Sequence, residues 1–273
     1  MPAIVDRMSL VRPRSLSAAL SLLTSDPTLT PIAGCTDVYV GLHFGTLPQK
    51  RFIDLWRLKE LHGISVDRDV LRIGAITTYT EIIESKLVHK RVPMLAAAAR
   101  EVGGAQIQNR GTLGGNVANA SPAGDTLPVL AAAGARIVLR SHAGTRTVPF
   151  EAFYTGYRSS VRKPEELITA IEIPRLDGKQ WWRKVGTRRA QAISKIMMAA
   201  VRGKQIRIAV GSVGPTVVLA NHAAAVLANG GGIVDARAAL LAEIAPIDDI
   251  RSTAAYRAAV AGNLLEEFWT STK

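Results

Sequence analysis

Residues Asn109 to Asp125 read Asn-Arg-Gly-Thr-Leu-Gly-Gly-Asn-Val-Ala-Asn-Ala-Ser-Pro-Ala-Gly-Asp, the densest run of ligand-binding groups in the chain. Gly111, Gly114 and Gly115 carry no Cβ, so the backbone can approach a ligand closely. Thr112, Asn116, Asn119 and Ser121 add short donors and acceptors, and Asp125 closes the run. Successive N–H groups in such a bend can line an anion-binding concavity, and the hydroxyl and amide side chains suit a polyhydroxylated chain. A plain turn between two core elements has the same composition, so this segment alone leaves both interpretations open.

A second bend favours the ligand. Ile32-Ala33-Gly34-Cys35-Thr36-Asp37 again places small residues with a hydroxyl and a carboxylate ahead of Val38-Tyr39-Val40. Two such bends can embrace one long anionic molecule.

Together the bends resemble the signature of the FAD-binding (medium) subunit of molybdenum hydroxylases of the xanthine dehydrogenase and carbon monoxide dehydrogenase type. That signature pairs an Ala-Gly-Gly-Thr-Asp-like loop with Thr-Leu/Ile-Gly-Gly-Asn/Asp running into Ser-Pro-x-x-Asp, here Ala33–Asp37 and Thr112–Asp125. Arg51–Leu55, Leu71–Ala75, Glu166–Pro174 and Lys184–Arg189 match later landmarks, so the resemblance spans roughly residues 8 to 265.

The resemblance implies FAD held mainly by backbone N–H groups of Ile32, Ala33, Gly34, Cys35, Thr36 and Asp37, with the Thr36 hydroxyl. Thr112, Gly114, Gly115 and Asn116 continue the cradle. Asn119, Ser121 and Asp125 reach the ribityl or flavin part. Ile168 touches the cofactor through its apolar body, Lys184 lies near the flavin as a cation that stabilises the reduced ring, and Ile193 covers one flavin face. Turn, core and surface roles are the alternatives for each. Cys35 and Ala192 depart from the family pattern, which usually has glycine, asparagine or serine at the first position and often aspartate at the second. A thiol in the bend is open to oxidants and alkylating agents. The lost carboxylate makes the flavin easier to reduce.

The implied activity is relay: a molybdenum-cofactor subunit oxidises the substrate, an iron–sulfur subunit carries the electrons, and this chain passes them to NAD, a quinone or oxygen. A self-sufficient flavoprotein oxidoreductase on a related fold and a non-enzymatic basic binding protein remain alternatives. The implied fold is α+β, a two-subdomain FAD-binding domain of the PCMH/vanillyl-alcohol-oxidase-like type plus a C-terminal α/β domain with a small antiparallel sheet and helices.

The elements that must position these residues divide the chain into units 1–57, 58–164 and 165–273. In the first, Ser15 caps a helix through Leu23, strands run over Leu29–Ile32 and Arg51–Leu55, and Val38–Phe44 is helical. No G-x-G-x-x-G follows a strand, so this is not a Rossmann unit. The second has paired strands about Asp67-Arg68-Asp69, helices over Thr78–Glu84, Pro93–Val102 and Thr126–Ala133, and a hairpin at His142-Ala143-Gly144. The third places strands at Leu167–Ile173, Gln180–Val185 and Gln205–Val213 before helices at Ala220–Leu227, Val234–Ile244 and Ala254–Phe268. Asn229-Gly230-Gly231-Gly232 lacks the Lys-Ser/Thr of a P-loop and reads as an inter-helix turn.

Composition narrows the classes. The 273 residues are 48% hydrophobic, enough for real cores. No apolar run is long enough to span a membrane, and Met1 to Arg7 lacks a signal-peptide h-region. One cysteine, Cys35, can build neither an internal disulfide nor an iron–sulfur cluster, and fits a reducing cytoplasm. The five histidines stand apart, so no metal site is expected. A net charge of +12 with only 5% aromatics, and no stacking run, points to acidic partner surfaces rather than nucleic acid.

Overall fold

Leu16, Ala19, Leu20 and Leu23 recur at three- and four-residue spacing and form the buried stripe of a helix. The structure, a computed structural model, describes residues 8–273; residues 1–7, which bear on the expected lack of an export signal, lie outside them. The first unit contains β1 (Ser9–Val11), α1 (Leu16–Ser25), β2 (Thr30–Ile32), α2 (Thr36–His43) and β3 (Arg51–Asp54). Its strands form a parallel sheet in the order β1-β3-β2. Ser15 accepts from the Ala18 N–H at the start of α1, and the α1 stripe packs with Leu29, Ile53 and Leu55. α2 buries none of its residues.

The second unit opens with the hairpin β4 (Ile64–Asp67) and β5 (Val70–Gly74). Six short helices follow: α3 (Tyr79–Glu84), α4 (Lys86–Arg91), α5 (Pro93–Arg100), α6 (Ala105–Gln108), α7 (Leu113–Asn119) and α8 (Leu127–Ala132). Thr78 and Glu81 close a capping box at α3. Then come β6 (Arg136–Ser141), β7 (Gly144–Pro149), the small pair β8 (Tyr154–Gly156) and β9 (Ser159–Ser160), and β10 (Leu167–Ile173). The main sheet is antiparallel with the order β4-β5-β10-β6-β7. β10, expected to open the third unit, is thus the middle strand of the second unit's sheet.

The third unit contains β11 (Lys179–Val185), β12 (Ile196–Arg202), β13 (Ile206–Gly211) and β14 (Val218–Leu219), antiparallel and in chain order, then α9 (Asn221–Ala228), α10 (Ile233–Glu243) and α11 (Ala254–Ser271). The segment 229–232 is the α9–α10 turn. β12 was not expected from the sequence. Its Ile-Met-Met-Ala-Ala-Val shows no alternation because both faces are buried. Ile196, Met198 and Ala200 share a core with Ala261, Leu265 and Phe268 of α11, whereas Ala199 and Val201 join the core of the second unit. One continuous core therefore seats the C-terminal sheet on the body that carries the bends. The architecture is α+β, with an N-terminal body built on a parallel and an antiparallel sheet followed by a second antiparallel sheet and helices. Among the described residues no helix is long and apolar enough to cross a membrane.

Candidate functional site

The first bend leaves β2 at Ile32, whose carbonyl accepts from the Leu55 N–H and fixes the loop to the end of β3. Cys35 takes a left-handed conformation, φ 62°, and turns the chain into α2. No side chain caps this helix. The N–H groups of Gly34, Cys35, Thr36, Asp37 and Val38 find no acceptor among the described residues. Unsatisfied donors at a helix start carry the positive end of the helix dipole and form an anion site. Gly34 lies so close to the Arg110 carbonyl that a Cβ there would collide with it. The two bends, distant in sequence, therefore touch.

The second bend differs from expectation. Gly114 and Gly115 lie inside a helix, α7, whose N-terminal donors are already satisfied, while Gly111 precedes it. The Leu113 N–H donates to Thr77 O at 3.1 Å and the Gly114 N–H to Ala75 O at 2.7 Å. The Gly115 N–H donates to the Thr112 Oγ1 cap at 3.1 Å, and the Asn116 N–H to Thr112 O at 3.0 Å. Gly114 is needed because Ala75 packs directly against its Cα. The N–H groups of Gly114, Gly115 and Asn116 are thus engaged within the protein, and Gly114 lets α7 press against the end of β5. What this bend still offers are side chains. Asn116 Oδ1 accepts from Thr126 Oγ1 at 2.7 Å, leaving its amide hydrogens, and Ser121 Oγ accepts from the Ala123 N–H at 3.3 Å. Asn119 Oδ1 accepts from Arg158 Nη1 at 3.0 Å beside Asp37 of the first bend.

Asp125 and Lys184 are paired directly. Lys184 Nζ, on β11, donates to Asp125 Oδ2 at 2.7 Å and to the Glu101 carbonyl at 3.0 Å. Ser194 Oγ donates to Asp125 Oδ1 at 2.5 Å. The Lys184 and Asp125 side chains are 5% and 10% exposed. Burial raises the Asp125 carboxyl above its ordinary range against the pull of Lys184 and Ser194. Two of the three Lys184 ammonium hydrogens are therefore committed, and the pair bolts the C-terminal sheet to the second bend. Ile168 is buried in the second unit's core beside a bulge of β10. Ile193 is 56% exposed, an apolar side chain on the connection between β11 and β12. Ala192 packs its Cβ against Gly186.

The Cys35 thiol is less reactive than its place in a bend implies. It is half-buried, donates to Ala33 O at 3.4 Å, and is pushed up by burial and by Asp54 against the pull of Arg110. Sequence inspection missed Ser194, Ser212, Arg158 and Arg257, and the stacking of the Arg110 guanidinium 3.7 Å above the Trp56 ring. Only Arg110 sat inside a flagged motif. The rest take part through pairings that spacing does not reveal.

An uncapped eight-residue helix start with consecutive free donors suits a diphosphate, and the Asn119, Ser121 and Asn116 groups suit a ribityl chain. Comparison with known proteins agrees with that chemistry. Residues 6–176 match a family profile described as the FAD binding domain in molybdopterin dehydrogenase, and residues 181–272 match the CO dehydrogenase flavoprotein C-terminal domain. The glyceraldehyde dehydrogenase medium chain of Sulfolobus acidocaldarius is 35% identical over 201 residues, 72% of each chain. The xanthine dehydrogenase FAD-binding subunit of Escherichia coli is 32% identical over 228 residues, 80% of this chain and 78% of that one. In structure, the chain superposes on carbon monoxide dehydrogenase from Hydrogenophaga pseudoflava with a TM-score of 0.90 and 28% identity, covering 96% of this chain and 95% of that one.

Proposed function

The chain belongs to the family of FAD-binding subunits of molybdenum hydroxylases of the xanthine and carbon monoxide dehydrogenase type, and from that premise we propose that it serves as the electron outlet of a multi-subunit oxidoreductase. Bound FAD supplies the chemistry of accepting an electron pair and passing it on. A single cysteine cannot hold an iron–sulfur cluster, so electrons reach this chain from an iron–sulfur subunit, itself fed by a molybdenum-cofactor subunit that oxidises the substrate. NAD, a quinone or oxygen takes them away. The net charge of +12 favours docking on acidic partner surfaces, and the lone thiol suits the cytoplasm.

The carrying observation is the row of free donors from Gly34 to Val38 held against the second bend. In this proposal those N–H groups and the Thr36 hydroxyl hold the diphosphate. Asn116, Asn119 and Ser121 orient the ribityl chain through side chains. Ile193 shields one face of the ring, while Asp125 and Lys184 fix the wall behind it. Lys184's remaining hydrogen is free to point at the ring.

The test is calorimetric titration of the apoprotein with FAD beside its Gly34→Val variant. Saturation at about one FAD per chain, abolished in the variant because its side chain must meet the Arg110 carbonyl, is the expected result. No heat with saturating FAD overturns the proposal. Pull-down from the native source at low and high salt tests the partners, and a lone species under both conditions counts against them.

A further inference from the structure

Arg257, on the buried side of α11, is 4% exposed, and its Nε has no partner. A buried guanidinium with an orphan donor is a poor way to stabilise a helix, since apolar residues of similar size often do better. Its other nitrogens are engaged. Nη2 donates to Asp249 Oδ1 at 2.7 Å, and Nη1 to the Ser212 carbonyl at 3.1 Å. Asp249 is itself fixed by the N–H groups of Arg251 and Ser252 at 2.8 and 3.0 Å.

Ser212 is where this network turns toward the bends. It follows β13 in the left-handed region at φ 63°, a conformation that costs a non-glycine residue about 1 kcal/mol or more. Three bonds hold it there. Besides receiving Arg257, its N–H donates to the Pro122 carbonyl at 2.9 Å, and its Oγ to the Ser194 carbonyl at 3.4 Å. Pro122 lies within the Ser121–Asp125 turn, and Ser194 is the residue whose hydroxyl grips Asp125. An unbroken hydrogen-bonded path thus joins the C-terminal helix to the cofactor turn from both of its ends.

We infer that Arg257 is a positioning residue for the flavin site: through Ser212 it sets the Pro122–Asp125 turn against β11 and β12, and thereby FAD affinity. This rests on the FAD-binding reading above. It acts at a distance, without touching the cofactor, and gives the C-terminal domain a binding role beyond covering the ring.

The test compares Arg257→Gln, Arg257→Lys and Asp249→Asn with Arg237→Gln, which breaks an α10–α11 ion pair of 2.7 Å to Glu266 and has no bond to the turn. For each, the dissociation constant for FAD is measured by flavin fluorescence, and Tm is measured with and without FAD. Arg257→Gln should weaken FAD binding about tenfold or more, a change of about 1.4 kcal/mol, and shrink the FAD-induced rise in Tm. Arg257→Lys should recover part of the affinity. Arg237→Gln should stay within about twofold of wild type even where its apo Tm falls equally. Should Arg257→Gln fail to fold, an intermediate loss in Asp249→Asn, which leaves the Ser212 contact without its anchor, carries the same inference. Unchanged affinity in the folded variants, or an equal loss in Arg237→Gln, overturns it. Wild-type protein that binds no FAD instead overturns the reading on which it rests.

Discussion

Replacing Lys184 with methionine is expected to be among the most costly single changes in this chain. It strands the Asp125 carboxylate, 10% exposed, with the Ser194 hydroxyl as its remaining side-chain partner. Removing one partner of a buried pair costs about 3–5 kcal/mol. At roughly 2–4 °C per kcal/mol for a chain of this size, Tm should fall by about 6–20 °C. Asp125→Asn removes the balancing charge and leaves the buried ammonium with neutral acceptors only, the Glu101 carbonyl at 3.0 Å and the amide oxygen, and should cost about 3 kcal/mol. The double variant removes both charges and both desolvation penalties, so it should return to within about 1 kcal/mol of wild type. The pH dependence has a defined sign. Burial raises the Asp125 carboxyl, so the neutral form is favoured in the folded state, and that advantage is complete below the ordinary 3.8 and disappears as pH rises through the raised value. The Lys184→Met deficit should therefore be largest near neutral pH and shrink on acidification. Thermal unfolding of the four proteins across that range checks this. Single effects that simply add within about 0.5 kcal/mol, or a deficit that persists at low pH, would refute the argument.

Cys35→Gly should raise Tm by one or two degrees, because relief of the φ 62° strain, about 1–2 kcal/mol, slightly exceeds the added entropy of an unfolded glycine; a fall in Tm refutes the strain. Alkylation of Cys35 by iodoacetamide should lag behind that of free cysteine near pH 8 and catch up only at more alkaline pH, since burial raises the thiol; equal rates count against it. Asp249 is pushed up by burial, but the Arg251 and Ser252 N–H groups and Arg257 overcome this and hold it at about 2. Its stabilisation, at most about 2 kcal/mol, is present above the unfolded value and lost as pH falls through the folded one. Urea melts of Asp249→Asn should accordingly converge on wild type only in acid. Ala192→Asp should lower the flavin potential by on the order of tens of millivolts, and redox titration showing no change removes that idea.

The first bend was legible because what it presents are backbone donors: absence of side chains is visible in the letters. The second bend looked equally glycine-rich, yet Gly114 packs against Ala75, and the first N–H groups of α7 donate to the Thr77 and Ala75 carbonyls that follow β5. Composition cannot tell a backbone that must meet a phosphate from one that must meet another strand. Amphipathic elements such as α1 and the capped α3 were legible. β12 was not, because a strand buried on both faces loses its period of two. Nor was the pairing of Lys184 with Asp125 or of Arg257 with Ser212, whose partners stand 59 and 45 residues apart. Such bonds follow from how the C-terminal sheet docks, and no local pattern encodes that.

β10 has a consequence for how the polypeptide emerges from the ribosome. Hydrogen bonds to β5 on one side and β6 on the other cannot form until Ile173 has left the exit tunnel. Translation therefore delivers two hairpin edges, β4–β5 and β6–β7, well before the staple that joins them, and each waits with an open rim able to pair with the wrong neighbour. A nascent chain stalled just short of Leu167 should be captured by chaperones and digested readily, while one stalled beyond the tunnel length past Ile173 should resist protease.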